Sequence, residues 1–237
     1  MSSFSARALL PLAIAFALYG CEKSASVDKA STDDLVVRIG AAAPLTGNQA
    51  HIGKDNESGT RMAIDDANAK GIVIGGRKVR FELISEDDQA DPKTATIVAQ
   101  KLVDDKVSGV IGHLNSGTTI PASKIYNDNG IPQISPSATA VNYTAQGFKT
   151  AFRVMANDAQ QGRVLGEYAA KNLAAKKIAV IDDTTSYGQG LADEFIKAAQ
   201  ANGAQIVAHE YTNDKAVDFT AVLTAVKGKQ PDLLFYG

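Results

Sequence analysis

The 237-residue sequence holds one cysteine, three histidines and no tryptophan. A lone thiol closes no internal disulfide, and one Cys cannot build a zinc site by itself. A surplus of charge is missing too: 24 Lys and Arg face 26 Asp and Glu, for a net charge of -2. There is no basic field to hold nucleic acid. No apolar run reaches the ~20 residues needed to cross a bilayer. What is present is an ordinary globular balance, 45% hydrophobic and 21% charged, which separates the chain from disordered sequences. The length suits one large domain or two small ones.

The N-terminus carries the first signal. Arg7 precedes the apolar stretch Ala8 to Tyr19, which ends at Gly20-Cys21. A basic start, a short apolar stretch and a small residue before the cut describe a secretory signal over residues 1–20. Leu18-Tyr19-Gly20-Cys21 resembles a bacterial lipobox, whose Cys is diacylated and becomes the first mature residue. Tyr19 departs from the usual small residue there, and a plain cleaved signal is the blander reading. Residues 21–34 are polar, without apolar periodicity, and read as a flexible tether.

From Leu35 onward strands and helices alternate. Leu35 to Ala42, Lys78 to Ser85, Val107 to Ile111, Ile131 to Ser135 and Phe152 to Met155 read as strands. Glu57 to Asn68 and Pro121 to Asn129 read as helices between them. Asp91-Pro92 opens another, with Asp as cap and Pro at the first helical position. A second series follows Asn157. Strands Ile178 to Ile181, Gln205 to His209 and Asp232 to Tyr236 are interleaved with helices Gln160 to Leu173, Gly190 to Ala201 and Asp218 to Val226. Strands separated by helices imply crossovers and mainly parallel sheets covered on both faces. The expected fold class is therefore α/β. Residues 35–155 form an N-terminal ligand-binding lobe and residues 156–237 a C-terminal lobe.

Gly47 to Lys54 looks like a phosphate loop and fails in detail: the glycines are one residue too far apart, and Asp55 stands where a hydroxyl is required. It reads as a flexible strand-to-helix loop. His113 and Ser116 suggest a secreted serine hydrolase. The glycines of a nucleophile elbow are absent, and no orienting acid is identifiable. Binding explains the hydroxyls better. Ser116, Thr118 and Thr119 follow a buried strand and precede a helix, where open N–H groups attract an anion such as a carboxylate. Ser135 to Thr139 repeats the arrangement after the next strand, and Tyr187-Gly188 does so in the second series. A single hydroxyl of this kind is usually a simple helix cap. Three clusters beyond the carboxyl ends of strands mark the edge where open α/β sheets bind ligands.

Gly112-His113-Leu114, Ser116, Pro121-Ala122-Ser123, Ser135-Pro136, Ala138-Thr139-Ala140 and Tyr187-Gly188-Gln189-Gly190-Leu191-Ala192 closely resemble the leucine/isoleucine/valine-binding proteins. These are receptors of branched-chain amino-acid ABC importers. The resemblance runs from about Val37 to Gly237. It implies a type I periplasmic binding protein: two doubly wound lobes joined by a hinge that close on the ligand. The implied function is extracytoplasmic binding of a branched-chain or other small aliphatic amino acid, its delivery to an inner-membrane permease, and anchoring at the membrane through Cys21. No enzyme activity, cofactor or metal is implied.

By position, Ser116 and Thr139 would bind the ligand carboxylate. Ser137 would offer a carbonyl to the ammonium, and Tyr187 would reach across from the second lobe. Asn115 and Ala90 stand where related members carry a disulfide, and Asn115, beside Ser116, is a further candidate ligand-binding residue. Ile52 replaces an aromatic of the side-chain pocket, so the identity of the amino acid is open. The resemblance also implies roughly another hundred residues, including an acidic partner for the ammonium and the crossovers that complete the lobes. The alternatives are a ligand-sensing receptor ectodomain for an amide or other small polar solute, and the hydrolase.

Overall fold

The computed structural model describes residues 34–237. The signal segment, Cys21 and the tether through residue 33 lie outside the described residues. The first sheet contains β1 (Leu35–Ala43), β2 (Val73–Ile74), β3 (Arg77–Asp87), β4 (Gly109–Gly112), β5 (Gln133–Ser135) and β6 (Ala151–Arg153), in the order β2-β3-β1-β4-β5-β6. Every pair is parallel except β2 with β3. The second sheet contains β7 (Lys177–Asp182), β8 (Gln205–Tyr211) and β9 (Leu233–Tyr236), all parallel, in the order β8-β7-β9. The connections supply α1 (Ala50–Ala69), α2 (Pro92–Asp104), α3 (Ser116–Asp128), α4 (Val141–Ala145), α5 (Asp158–Lys171), α6 (Ser186–Ala201) and α7 (Thr220–Gly228).

Apolar alternation explains why these elements pack. In the first sheet Val110 meets Val98, Leu102 and Tyr126 from α2 and α3. In the second, β7 is covered on both faces. Ile178 and Val180 point to α6, where Phe195 stacks on Phe235 with ring centroids 3.8 Å apart. Ala179 and Ile181 point the other way, towards Val226 of α7. Successive strand residues face opposite sides, so a continuous apolar run is what a strand covered twice requires.

Several boundaries differ from the sequence reading. The segment after Gly47 is helical from Ala50, so His51 to Asp55 belong to α1 rather than to a loop. Gly53 permits this: a side chain there would collide with the carbonyl of Pro44, and the helix passes directly over that loop. Helix α3 begins at Ser116, and Pro121 lies inside it rather than near its start. Proline there removes one backbone donor from the second turn. Helix α6 begins at Ser186, which puts Tyr187 in its first turn. The Asp91 cap is present as read, its carboxylate accepting the Thr94 N–H at 2.7 Å. The short β2 and α4 have no counterpart in the sequence reading.

Asp158 opens α5 just beyond the crossover from the first sheet. It is fully enclosed, and neither carboxyl oxygen has a hydrogen-bond partner among the described residues. Its N–H donates to the Thr139 carbonyl at 2.9 Å. Burial raises its pKa, against the opposing pull of the nearby Thr139 hydroxyl and Arg153, while Glu194 adds to the rise. The folded protein therefore holds this proton more tightly than the unfolded chain, and stability falls as pH rises from the ordinary value of 3.8 through the raised one.

Asp158→Asn raises the melting temperature at neutral pH and leaves it nearly unchanged below pH 3.8; thermal melts across pH check both. Phe195→Ala lowers the unfolding free energy by about 3–5 kcal/mol, measured by urea denaturation.

Candidate functional site: a cleft at the strand ends

Strand β1 lies beside β4, and the chain leaves β1 towards β3 on one side and leaves β4 towards β5 on the other. Loops leaving the carboxyl ends of such strands splay apart and leave a crevice. Here that crevice is a cleft of about 530 Å³. The first sheet contributes Thr46, Gln49, Gln89, Asn115 and Ser116; the second contributes Asp183 to Tyr187 together with Asp214 and Lys215.

Ser116 is the first residue of α3 and only 2% exposed. Its Oγ accepts the Ala140 N–H at 3.1 Å, which leaves the hydroxyl proton free to donate. It sits at a helix N-terminus, whose unpaired N–H groups and dipole favour an anion. Asn115 precedes it. Its Nδ2 donates to Gln49 Oε1 at 2.8 Å, while its Oδ1 is buried without a partner among the described residues. Leaving such an acceptor unmet costs about 1–3 kcal/mol.

Tyr187 faces these groups from the second sheet and is 40% exposed. Thr185 caps its helix, accepting the Gly188 N–H at 3.0 Å. Asp183 Oδ1 in turn accepts from the Thr185 N–H and hydroxyl at 2.9 and 2.7 Å. The loop presenting Tyr187 is thus tied at its base.

The other predicted residues stand apart from the cleft lining. Ser137 donates its hydroxyl to the Leu114 carbonyl at 2.7 Å, so it braces the Ser116 loop. Thr139 lies beside Asp158, and its Oγ1 is buried without a partner among the described residues. Ile52 is 44% exposed on the first turn of α1. The structure therefore gathers Asn115, Ser116 and Tyr187 at the cleft, and does not bring Ser137, Thr139 or Ile52 into its lining.

Sequence reasoning missed Gln49, Thr46 and the stretch from Asp183 to Ser186. The last was findable, because it follows a buried strand as Ser116 does. Gln49 carried no local signal, because its role depends on the bond from Asn115. Thr46 is held by Asp87, which also accepts the N–H groups of Leu45 and Gln89 at 2.8 and 2.9 Å. Burial acts to raise the Asp87 pKa, but these hydrogen bonds outweigh it and hold the carboxyl below its ordinary value.

The hydrolase reading fails on geometry. His113 Nδ1 lies 2.7 Å from Asp88 Oδ2, and Nε2 lies 3.2 Å from the Tyr126 hydroxyl. Both ring nitrogens are engaged away from Ser116, so the serine lacks its base. No helix among the described residues is long and apolar enough to cross a membrane.

Comparison with known proteins agrees with a binding cleft. The Leu/Ile/Val-binding protein homolog 2 of Brucella abortus (strain 2308) is 39% identical over 201 residues, 85% of this chain and 53% of that protein. An amino acid binding protein of Pseudomonas aeruginosa is 40% identical over 202 residues, again 85% and 53%. The branched-chain amino acid transporter substrate binding protein LivJ of Streptococcus pneumoniae, solved with isoleucine, superposes with a TM-score of 0.74 at 32% identity, covering 84% of this chain and 56% of that one. The chain spans about half the length of the curated relatives it matches. The match to the family described as periplasmic binding protein extends over residues 36–237, from the first strand through the last, and this chain belongs to that family.

Proposed function

We propose that this chain is the binding part of an extracytoplasmic receptor that serves an ABC importer and holds a branched-chain or other small aliphatic amino acid as its zwitterion. The observation that carries the reading is the placement of the Ser116 hydroxyl at the α3 N-terminus, opposite Tyr187 across the cleft. A carboxylate at Ser116 meets a free hydroxyl proton and a positive helix end. Tyr187 then closes over the ligand from the second lobe. Thr139 and the Ser137 carbonyl, on the same lobe as Ser116, belong to the site that lobe closure completes, and Ile52 stands at its margin. Cys21 carries the lipid that keeps the receptor at the membrane, beside its permease. The Leu/Ile/Val-binding relatives support the choice of ligand.

Calorimetry of the purified protein against a panel of amino acids tests this reading. Binding of leucine, isoleucine or valine is expected; no binding of any amino acid removes it. A hydrogen bond to a charged group is worth about 1.5–3 kcal/mol, so Ser116→Ala should weaken binding roughly ten- to a hundred-fold. Unchanged affinity in that variant takes Ser116 out of the site. Tyr187→Ala should act mainly on the dissociation rate, read by chasing bound radiolabelled leucine with excess unlabelled leucine.

A further inference from the structure

We propose that Asp88 and His113 are a positioning pair for the loop that presents Ser116, so that ligand affinity depends on a buried hydrogen-bond chain that never touches the ligand. This rests on the amino-acid reading above and adds to it the residues that set the geometry of the site.

The chain of bonds is short and closed. Asp88, His113 and the Tyr126 ring are all 0% exposed. Asp88 Oδ2 lies 2.7 Å from His113 Nδ1, and Asp88 Oδ1 accepts the Ala90 N–H at 3.0 Å. His113 Nε2 lies 3.2 Å from the Tyr126 hydroxyl. Burial, followed by the charge of Asp88, pushes the Tyr126 phenol well above its ordinary pKa, so it stays an O–H donor. The directions then follow. A carboxylate oxygen accepts, so the geometry places a His113 proton on Nδ1 towards Asp88, with Nε2 facing the Tyr126 hydroxyl.

The position of this chain gives it a role. Asp88 directly precedes Gln89 to Asp91, and His113 directly precedes Leu114 to Ser116, so the pair ties two cleft loops together at their roots. A third loop joins them: the His113 carbonyl accepts the Ser135 hydroxyl at 2.8 Å and the Thr119 hydroxyl at 3.1 Å. Gly112, just before the pair, has φ of +139° and packs against the Ala42 carbonyl with no room for a side chain. The Ser116 loop is therefore held from both directions. Buried side chains with every bond met specify one geometry, and a site displaced by even an ångström loses affinity.

The second lobe repeats the device. Asp182, also at the carboxyl end of a strand, accepts the Thr184 N–H at 2.8 Å through Oδ1 and pairs with His209 Nε2 at 2.6 Å through Oδ2. The same two-pronged use of a strand-end carboxylate on both sides of the cleft argues that it serves the loops it anchors.

The test separates positioning from folding. Leucine affinity by calorimetry, melting temperature, and the imidazole ¹⁵N spectrum are measured for the purified protein and for His113→Phe, Asp88→Leu and Asp88→Asn. Wild type should show a slowly exchanging His113 Nδ1–H. Asp88→Asn keeps an acceptor for Ala90 and offers an N–H to Nδ1, so the imidazole proton should move to Nε2, with affinity within about three-fold of wild type. His113→Phe and Asp88→Leu should weaken leucine binding at least ten-fold at temperatures where both remain folded. Wild-type affinity in a folded His113→Phe protein overturns the proposal, as does an Asp88→Asn protein as weak as Asp88→Leu. If wild type binds no amino acid, the reading of function falls and this inference falls with it, an outcome visible before any variant is measured.

Discussion

Parallel pairing of β1 with both β3 and β4 is the constraint on which the site depends. It sets Ile39 beside Leu83 on one side and beside Gly109 on the other, and brings the carboxyl ends of all three strands to one edge. Each strand must then return through a helix, because a parallel neighbour cannot be reached by a tight turn. The helices that follow the strands begin at that edge, with their N-termini towards it. Ser116 at the start of α3 is a product of this geometry, and the parallel pairing of β7 with β8 and β9 places Tyr187 near the start of α6 in the same way.

Carboxylates at strand ends convert that geometry into a defined cleft. Asp87, Asp88, Asp182 and Asp183 each accept backbone N–H groups from the loop that follows or lies alongside. Loops at such an edge have backbone donors that neither sheet nor helix can satisfy, and a short acidic side chain is the nearest acceptor. Asp158 differs. It is enclosed, with no bonded partner for its carboxyl among the described residues, at the start of the helix that begins the second series. Its burial opposes stability at neutral pH, while its N–H holds Thr139, a residue proposed to meet the ligand.

Most elements were readable because their apolar spacing is unambiguous. The run Ile178 to Ile181 is apolar at every position and reads as a strand covered twice. Asp91-Pro92 marks a helix start by cap chemistry alone. Failures occurred where a local signal had a non-local cause. Gly53 looks like a loop residue, yet it lies in a helix and is glycine because the Pro44 carbonyl leaves no room for a side chain. Pro121 looks like a helix start, yet the turn before it is helical. In the site, Asn115, Ser116 and Tyr187 were readable as polar residues after buried strands. Gln49 was not, since its value lies in a bond to Asn115, 66 positions away.

The order of apolar runs, caps and turns in the chain was enough to establish an α/β protein with strand-end hydroxyl clusters, because strand and helix periods are local properties of neighbouring residues. The pairing partners of His113 lay beyond that reach. Sequence proximity suggested Ser116, three positions on, whereas folding joins His113 to Asp88 and Tyr126. Strand order sets which loops meet, and side-chain direction sets which groups can bond. Both arise from contacts between distant segments, and they place a candidate base in a buried hydrogen-bond chain at the root of the Ser116 loop.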